Sequence, residues 1–363
     1  MSRILIFLVF LSLPLKAQES VNGRNLFEVS YGYGTMLRHN KNVAHLVNAH
    51  PGIISLSYSQ RTYGKKRWHR EYNYPDWGFM LQYTDFGNEV LGENYALMGH
   101  YNFYFLNRKL RLRAAEGIGL NTNPFDLRTN PKNISYGSSF IFSTTLAVSY
   151  VEQDLFKDFG LELGVSLVHS SNGSIKAPNS GTNIVTFTAG LSYNPQDVEP
   201  KEYVKVDDEP ISEPIHFNIF VRGGVNSSDY IDLGQHPFWV LGGYADKRLN
   251  YKSTLQLGAE IFFTEFLQEE IKYLSVSFPL RNIDPDNDYR RVGLFAGHEF
   301  RIGDLGIETQ LGYYVYYPYK YESRVYSRVG MKYFLNKNWF GAVSIKSHSF
   351  NAEAIEFALG IRI

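Results

Sequence analysis

Between Val165 and Tyr193 the chain reads VSLVHSSNGSIKAPNSGTNIVTFTAGLSY, and this segment concentrates residues whose types can make and break bonds. A serine hydroxyl is a weak nucleophile until a base accepts its proton, and an imidazole two residues away on one strand face can reach it. His169 and Ser171 have that spacing. The imidazole needs an acceptor on its other nitrogen to fix tautomer and orientation, and Asn183 could supply a carboxamide oxygen, as the Asn does in Cys-His-Asn sites. Asn172, Gly173 and Asn179 offer N–H groups for an oxyanion, and Lys176 could meet a phosphate. The same residues also compose an ordinary polar strand end running into a turn, so the types alone leave two readings open.

The elements that would position them follow a period of two. In Phe159–Ser171 the residues Leu161, Leu163, Val165 and Leu167 alternate with Gly160, Glu162, Gly164 and Ser166. That is strand alternation, with one apolar face and one small or polar face. His169 and Ser171 share the parity of the leucines, and Asn183 shares that of Val185, Phe187 and Leu191. All three groups therefore project from the apolar face. Glu116, among Leu112, Ile118 and Leu120, lies on the apolar face of another strand and is an alternate orienting acid. It belongs to the fifth strand, two strands from the seventh, which carries His169.

The pattern continues through eight candidate strands between 26 and 193 and eight more between 215 and 363. Most reach the ~9–11 residues of a tilted transmembrane strand. Turns after even-numbered strands are mostly short and loops after odd-numbered ones longer, as outer-membrane barrels require. The basic stretch Arg61–Tyr74 is the exception, too long for a periplasmic turn and read as a solvated loop. Lys+Arg and Asp+Glu cancel at 36 each, so there is no global field for nucleic acid, and with Cys 0 there is no disulfide framework or Cys-ligated metal site. Residues 1–17 read as a cleaved secretory leader, Arg3 preceding the apolar run Ile4–Leu15. A soluble β-sandwich also alternates. The leader, the Tyr and Phe at strand ends and the inward Gly, Ser and paired charges favour an all-β, antiparallel transmembrane β-barrel. The expected organisation is an eight-stranded barrel over 18–194, an acidic, proline-containing linker over 195–214 and a second strand set over 215–363. Whether the halves close as one sixteen-stranded barrel or two eight-stranded ones turns on the partner of strand eight.

His169-Ser170-Ser171-Asn172-Gly173, followed by Pro178-Asn179 and Gly181, resembles the lipid A 3-O-deacylase family of PagL type, also described as acyloxyacyl hydrolases. The resemblance covers about 26–193 and includes the Asn121-Thr122-Asn123-Pro124-Phe125-Asp126 loop. It implies an eight-stranded outer-membrane barrel with a lipid-facing site: His169 as base, Ser171 as nucleophile and Asn179 at the oxyanion. Where that family carries Glu, fourteen residues after the His, this chain has Asn183. Outer-membrane phospholipase A is similar at this point, with His-x-Ser-Asn-Gly and a later Asn, but its surrounding Trp-Asn-Arg context is missing here. The expected function is a serine esterase acting on lipid A in the outer membrane of a Gram-negative bacterium, without a cofactor. Calcium enters only under the phospholipase alternative, and a non-enzymatic barrel or porin is the remaining rival.

The second half echoes the first without repeating its chemistry. Val343–His348 resembles Val165–His169, but parity turns His348 and Glu356 inward, among Arg222, Glu260, Glu299, Arg328 and Lys332. An interior charge network is expected there, and its size mildly favours a pore. His39, His45 and His50 share one loop, yet their spacing matches no established metal site.

Overall fold

The computed structural model describes residues 25–39, 41–195, 203–205, 209–349 and 351–363. The leader expected at 1–17 and part of the expected linker lie outside them. The first half contains β1 (Asn25–Met36), β2 (Gly52–Gln60), β3 (Asp76–Asp85), β4 (Glu93–Phe105), β5 (Leu110–Asn121), β6 (Phe140–Phe156), β7 (Phe159–Ser171) and β8 (Thr182–Tyr193). The second contains β9 (Ile215–Asn226), β10 (His236–Arg248), β11 (Ser253–Thr264), β12 (Arg291–Ile302), β13 (Leu305–Tyr316), β14 (Val325–Phe334), β15 (Trp339–His348) and β16 (Asn351–Arg362). Two short helices interrupt the loops, α1 (Arg67–Glu71) and α2 (Glu265–Ser277).

Each half closes on itself. β8 pairs antiparallel with β1, Phe27 opposite Tyr193, and β16 pairs with β9, Leu359 opposite Val221. The result is two closed eight-stranded antiparallel barrels. Closure leaves no unpaired strand edge, which is the condition for crossing lipid. Outward residues such as Val29, Leu81, Leu97, Leu163, Leu257 and Leu311 are exposed, and exposed tyrosines (Tyr33, Tyr95, Tyr313, Tyr333) lie toward the strand ends. An apolar outer band edged by aromatics is the surface of a transmembrane β-barrel.

The inner faces are polar and packed. In the first barrel Arg111 pairs with Glu28 and, at 2.5 Å, with Glu162, while Arg113 pairs with Glu28 and donates to Asn102 Oδ1 at 2.8 Å. In the second, Arg328 joins Glu356 at 2.5 Å and Glu260 at 2.9 Å, and Lys332 joins Glu299 at 2.8 Å. His348 and Glu356 both point inward, fully buried. Phe262, Tyr314, Tyr326 and Phe340 pack among these charges. The pore that the inward charges suggested is therefore not formed: they are one another's partners, and eight strands leave room only for side chains.

The long stretch 61–75 also departs from expectation. Rather than lying in solvent, its helix α1 docks on the second barrel. Tyr72 Oη donates to the Arg301 carbonyl, its ring sits 5.2 Å from that of Phe300, and Glu71 reaches Lys252 at 3.7 Å. The extra length lets this turn bridge the two barrels. Part of the connector is held against it, Val204 N–H donating to the Tyr63 carbonyl at 3.0 Å.

Candidate active site

The β7–β8 hairpin sets the geometry. In its register His169 lies directly opposite Asn183, and opposed residues on one sheet face approach within about 5.5 Å. His169 and Ser171 share the face of the exposed Leu163, Val165 and Leu167, whereas the intervening Ser170 turns inward and hydrogen-bonds Ser143 Oγ at 2.8 Å. The imidazole and the alcohol thus lie on the outer side of the first barrel, where Ser171 is covered to 6% exposure. His169 Nδ1 lies 2.8 Å from Asn183 Oδ1, and His169 Nε2 lies 3.2 Å from Ser171 Oγ. With the ring proton on Nδ1 donated to the Asn183 carbonyl oxygen, Nε2 is free to accept the Ser171 proton.

The row continues across the sheet. Thr144 on β6 is opposite His169, and Glu116 on β5 is opposite Thr144, so four polar residues cross four strands on the outer face. Glu116 accepts its hydrogen bond from Thr144 Oγ1, one strand short of the imidazole. Asn183, not Glu116, is the group at His169.

The loop 172–181 then folds back over Ser171. Gly173, at φ +62°, aims its N–H at Ser171 Oγ at 3.4 Å. Gly181, at φ +63°, passes so close that a Cβ there would sit 3.1 Å from Ser171 Cβ. The two asparagines expected to meet an oxyanion serve the loop itself in this state. Asn172 N–H donates to Asn179 Oδ1 at 2.8 Å, Asn172 Nδ2 to the Lys176 carbonyl at 2.6 Å, and Asn179 Nδ2 to Ser174 Oγ at 3.3 Å. The Lys176 side chain is exposed and lies in the field of Asp126, whose carboxyl is held below its usual range chiefly by the Thr129 and Arg128 N–H groups.

Several groups that hold this loop carry no motif. From the first barrel, His39 Nε2 is 2.9 Å from the Ser180 carbonyl, and Gly181 N–H donates to Ser135 O at 3.1 Å. His45 and His50 likewise meet backbone carbonyls, of Lys132 and Gly34. From the second barrel, Ser227 N–H donates to Ser174 O at 3.0 Å, Ser227 Oγ accepts Ala177 N–H at 2.9 Å, and the Ala352 carbonyl accepts Ser174 Oγ–H at 2.5 Å. Ile355 shares the outward parity of Phe357 and Leu359, which are 45% and 48% exposed, yet is itself only 6% exposed. It packs on Gly173, where any Cβ would overlap its side chain. By its parity Ile355 belongs to the outer face of β16, and Gly173 of the first barrel's loop lies against it.

Two family models match the chain, one on each barrel. Residues 52–192 match Lipid A 3-O-deacylase (PagL), and residues 215–363 match Acyloxyacyl hydrolase, C-terminal domain. No curated protein matches the chain. Similar solved structures include the KdgM porin, at 10% identity over 92% of this chain and 97% of that one, and a mutant porin of Rhodopseudomonas blastica, at 7% identity over 93% and 99%. Both likenesses have a TM-score of 0.19. From the matches to both barrels, the chain belongs to the lipid A 3-O-deacylase (PagL) and acyloxyacyl hydrolase family.

Proposed function

We propose that the chain is an outer-membrane serine esterase that removes an acyl chain from lipid A in a Gram-negative bacterium. The observation that carries this reading is the outward chain of contacts Ser171 Oγ–His169–Asn183 at 3.2 and 2.8 Å. A polar cluster on the lipid-facing side of a barrel is costly, in proportion to its depth. It suits a substrate that is itself part of the membrane.

In the proposed reaction His169 Nε2 takes the Ser171 proton while Oγ attacks the ester carbonyl. The Gly173 N–H, already directed at Oγ, is the donor nearest the developing oxyanion. Collapse expels the sugar alkoxide, which takes the proton back from His169 and leaves an acyl-serine. Water, deprotonated by the same imidazole, then attacks the acyl carbonyl, and release of the fatty acid restores Ser171. Asn183 keeps the ring oriented but adds no negative charge, so it stabilises the imidazolium less than the family's Glu would. Asn172 and Asn179 keep the loop folded, and Lys176 stands at the rim where a phosphate would lie.

Asn183 also favours a second substrate, a glycerophospholipid cleaved by the same steps, with calcium as the added requirement. The match of 52–192 to the deacylase model supports lipid A over it. Mass spectrometry of lipid A and phospholipids from cells expressing wild type, Ser171→Ala and His169→Ala separates the readings. Loss of one acyl group from lipid A only with Ser171 intact supports the deacylase. Lysophospholipid appearing instead supports the phospholipase, and no change in either leaves an inert barrel.

A further inference from the structure

At the end of the second barrel where the β9–β10, β11–β12 and β13–β14 loops meet, they line an open cleft of about 790 Å³, within the ~300–1,000 Å³ range of small-ligand sites. One wall is α2, whose apolar face (Phe266, Leu267, Ile271, Leu274) packs with Tyr319 into a small core of its own. On the same helix Glu270 is 4% exposed and fixed, accepting from Ser228 Oγ at 2.5 Å and Tyr319 Oη at 2.8 Å. The walls are therefore built, not loose. Tyr230, Tyr319 and Tyr321 contribute rings to the lining, and Arg281 reaches Tyr230 Oη at 3.3 Å. Asp229 and Glu322 face the cavity with carboxylates that have neither hydrogen bond nor ion pair among the described residues.

Rings that can stack on C–H faces, beside carboxylates, amides and a guanidinium that can pair with hydroxyls, form a combination suited to a sugar. Charge narrows the class. Asp229, Glu270, Asp284 and Glu322 outweigh Arg281 and Lys320 around this volume, so a phosphorylated sugar is disfavoured and a neutral or amine-bearing one fits. The cavity is not the mouth of a channel, because the barrel interior carries the buried Arg291–Glu353 pair at 2.5 Å and the Lys346–Glu353 pair at 2.6 Å.

Its position connects it to the chemistry. The β9–β10 loop carries, in consecutive residues, Ser227 on the catalytic loop, Ser228 on Glu270, and Asp229 and Tyr230 in the cavity. Three residues span at most ~11 Å. We infer that the Tyr230–Tyr321–Glu322 vestibule of the second barrel is a glycan-binding site that takes neutral or amine-bearing sugars of the substrate's headgroup while the ester lies at Ser171. This rests on the glycolipid esterase reading above and names the part of the substrate that the second barrel holds.

The test uses the full chain in detergent micelles with Ser171→Ala, so that no turnover occurs. The probe is the lipid-free, dephosphorylated oligosaccharide released from lipopolysaccharide by mild acid, titrated by calorimetry. Saturable binding is expected, weakened at least tenfold in Asp229→Asn/Glu322→Gln, a pair that preserves shape. On the active chain the same pair should raise the ratio of KM for sugar-bearing lipopolysaccharide over KM for lipid A by about tenfold. Absence of binding while Ser171-dependent hydrolysis persists overturns the vestibule, as does equal binding by the variant or uptake of calcium without sugar. Binding without any Ser171-dependent hydrolysis supports the vestibule and removes the esterase reading instead.

Discussion

Replacing Ser227 and Ile355 tests whether the second barrel holds the 172–181 loop over Ser171, although neither residue belongs to the Ser171–His169–Asn183 set. Ser227→Ala removes the acceptor of Ala177 N–H at 2.9 Å, a hydrogen bond contributing about 1 kcal/mol net. Ile355→Ala deletes three carbons at ~0.8 kcal/mol each, of which roughly 1 kcal/mol falls on the Gly173 contact. Each loss lowers the ordered-to-open equilibrium constant of the loop about fivefold and the pair lowers it about 20–30-fold, which is the upper limit of the fall in kcat. The assay is kcat on lipid A in mixed micelles, with resistance of the unheated barrels to detergent unfolding as the control for fold. A pH–rate profile of unchanged shape at reduced amplitude identifies loop positioning, since His169 and Asn183 are untouched. A folded double variant with wild-type kcat would refute the reasoning and leave the loop standing on the first barrel alone.

Other outcomes follow from the same geometry. Asn183→Ala leaves His169 Nδ1 without its partner, and loss of about 1–3 kcal/mol should cut kcat roughly 5- to 150-fold, measured by fatty-acid release. Glu116→Gln should change kcat less than about threefold, because Glu116 bonds Thr144 and not the imidazole. Arg328→Ala strips the partner from Glu260 and Glu356 in the second interior, and a cost of ~3–5 kcal/mol should appear as a lower unfolding temperature of that barrel. In α1, burial first, then Lys66 and Arg70, push His69 down from 6.5 to about 4. A depressed imidazole favours the docked turn fully above pH 6.5 and loses that contribution as pH falls toward about 4. The protection factor of 61–75, with exchange corrected for the intrinsic rate at each pH, should therefore fall between pH 7 and pH 5, and His69→Gln should remove the difference.

Much of this fold is legible in the sequence because the two strand faces differ in chemistry. Leu163, Val165 and Leu167 against Gly164 and Ser166 fix which way His169 and Ser171 point, and hairpin register then brings Asn183 across from the imidazole. Arg111 and Arg113 can be assigned inward because they alternate with the outward Leu110 and Leu112. The contacts between the barrels are of another kind. Ser227 acts through one hydroxyl and one amide, Ala352 through a carbonyl, and Ile355 looks like any lipid-facing residue of β16. Nothing local marks them, since their partners lie more than 45 residues away. The length of 61–75 was the one visible signal of an inter-barrel contact, and loop length alone does not say what a loop touches. Asn172 and Asn179 illustrate a further limit: residue type announces N–H donors, but only coordinates show that the loop already uses them.

The central claim is that Ser171, on the outer face, is activated by His169. An alkyl fluorophosphonate that partitions into micelles reacts with such a serine and adds a defined mass to it. The account predicts stoichiometric labelling of the peptide containing Ser171, loss of labelling in Ser171→Ala and slowing by at least about a hundredfold in His169→Ala. Labelling that persists unchanged without the imidazole, or falls on another residue, would contradict it.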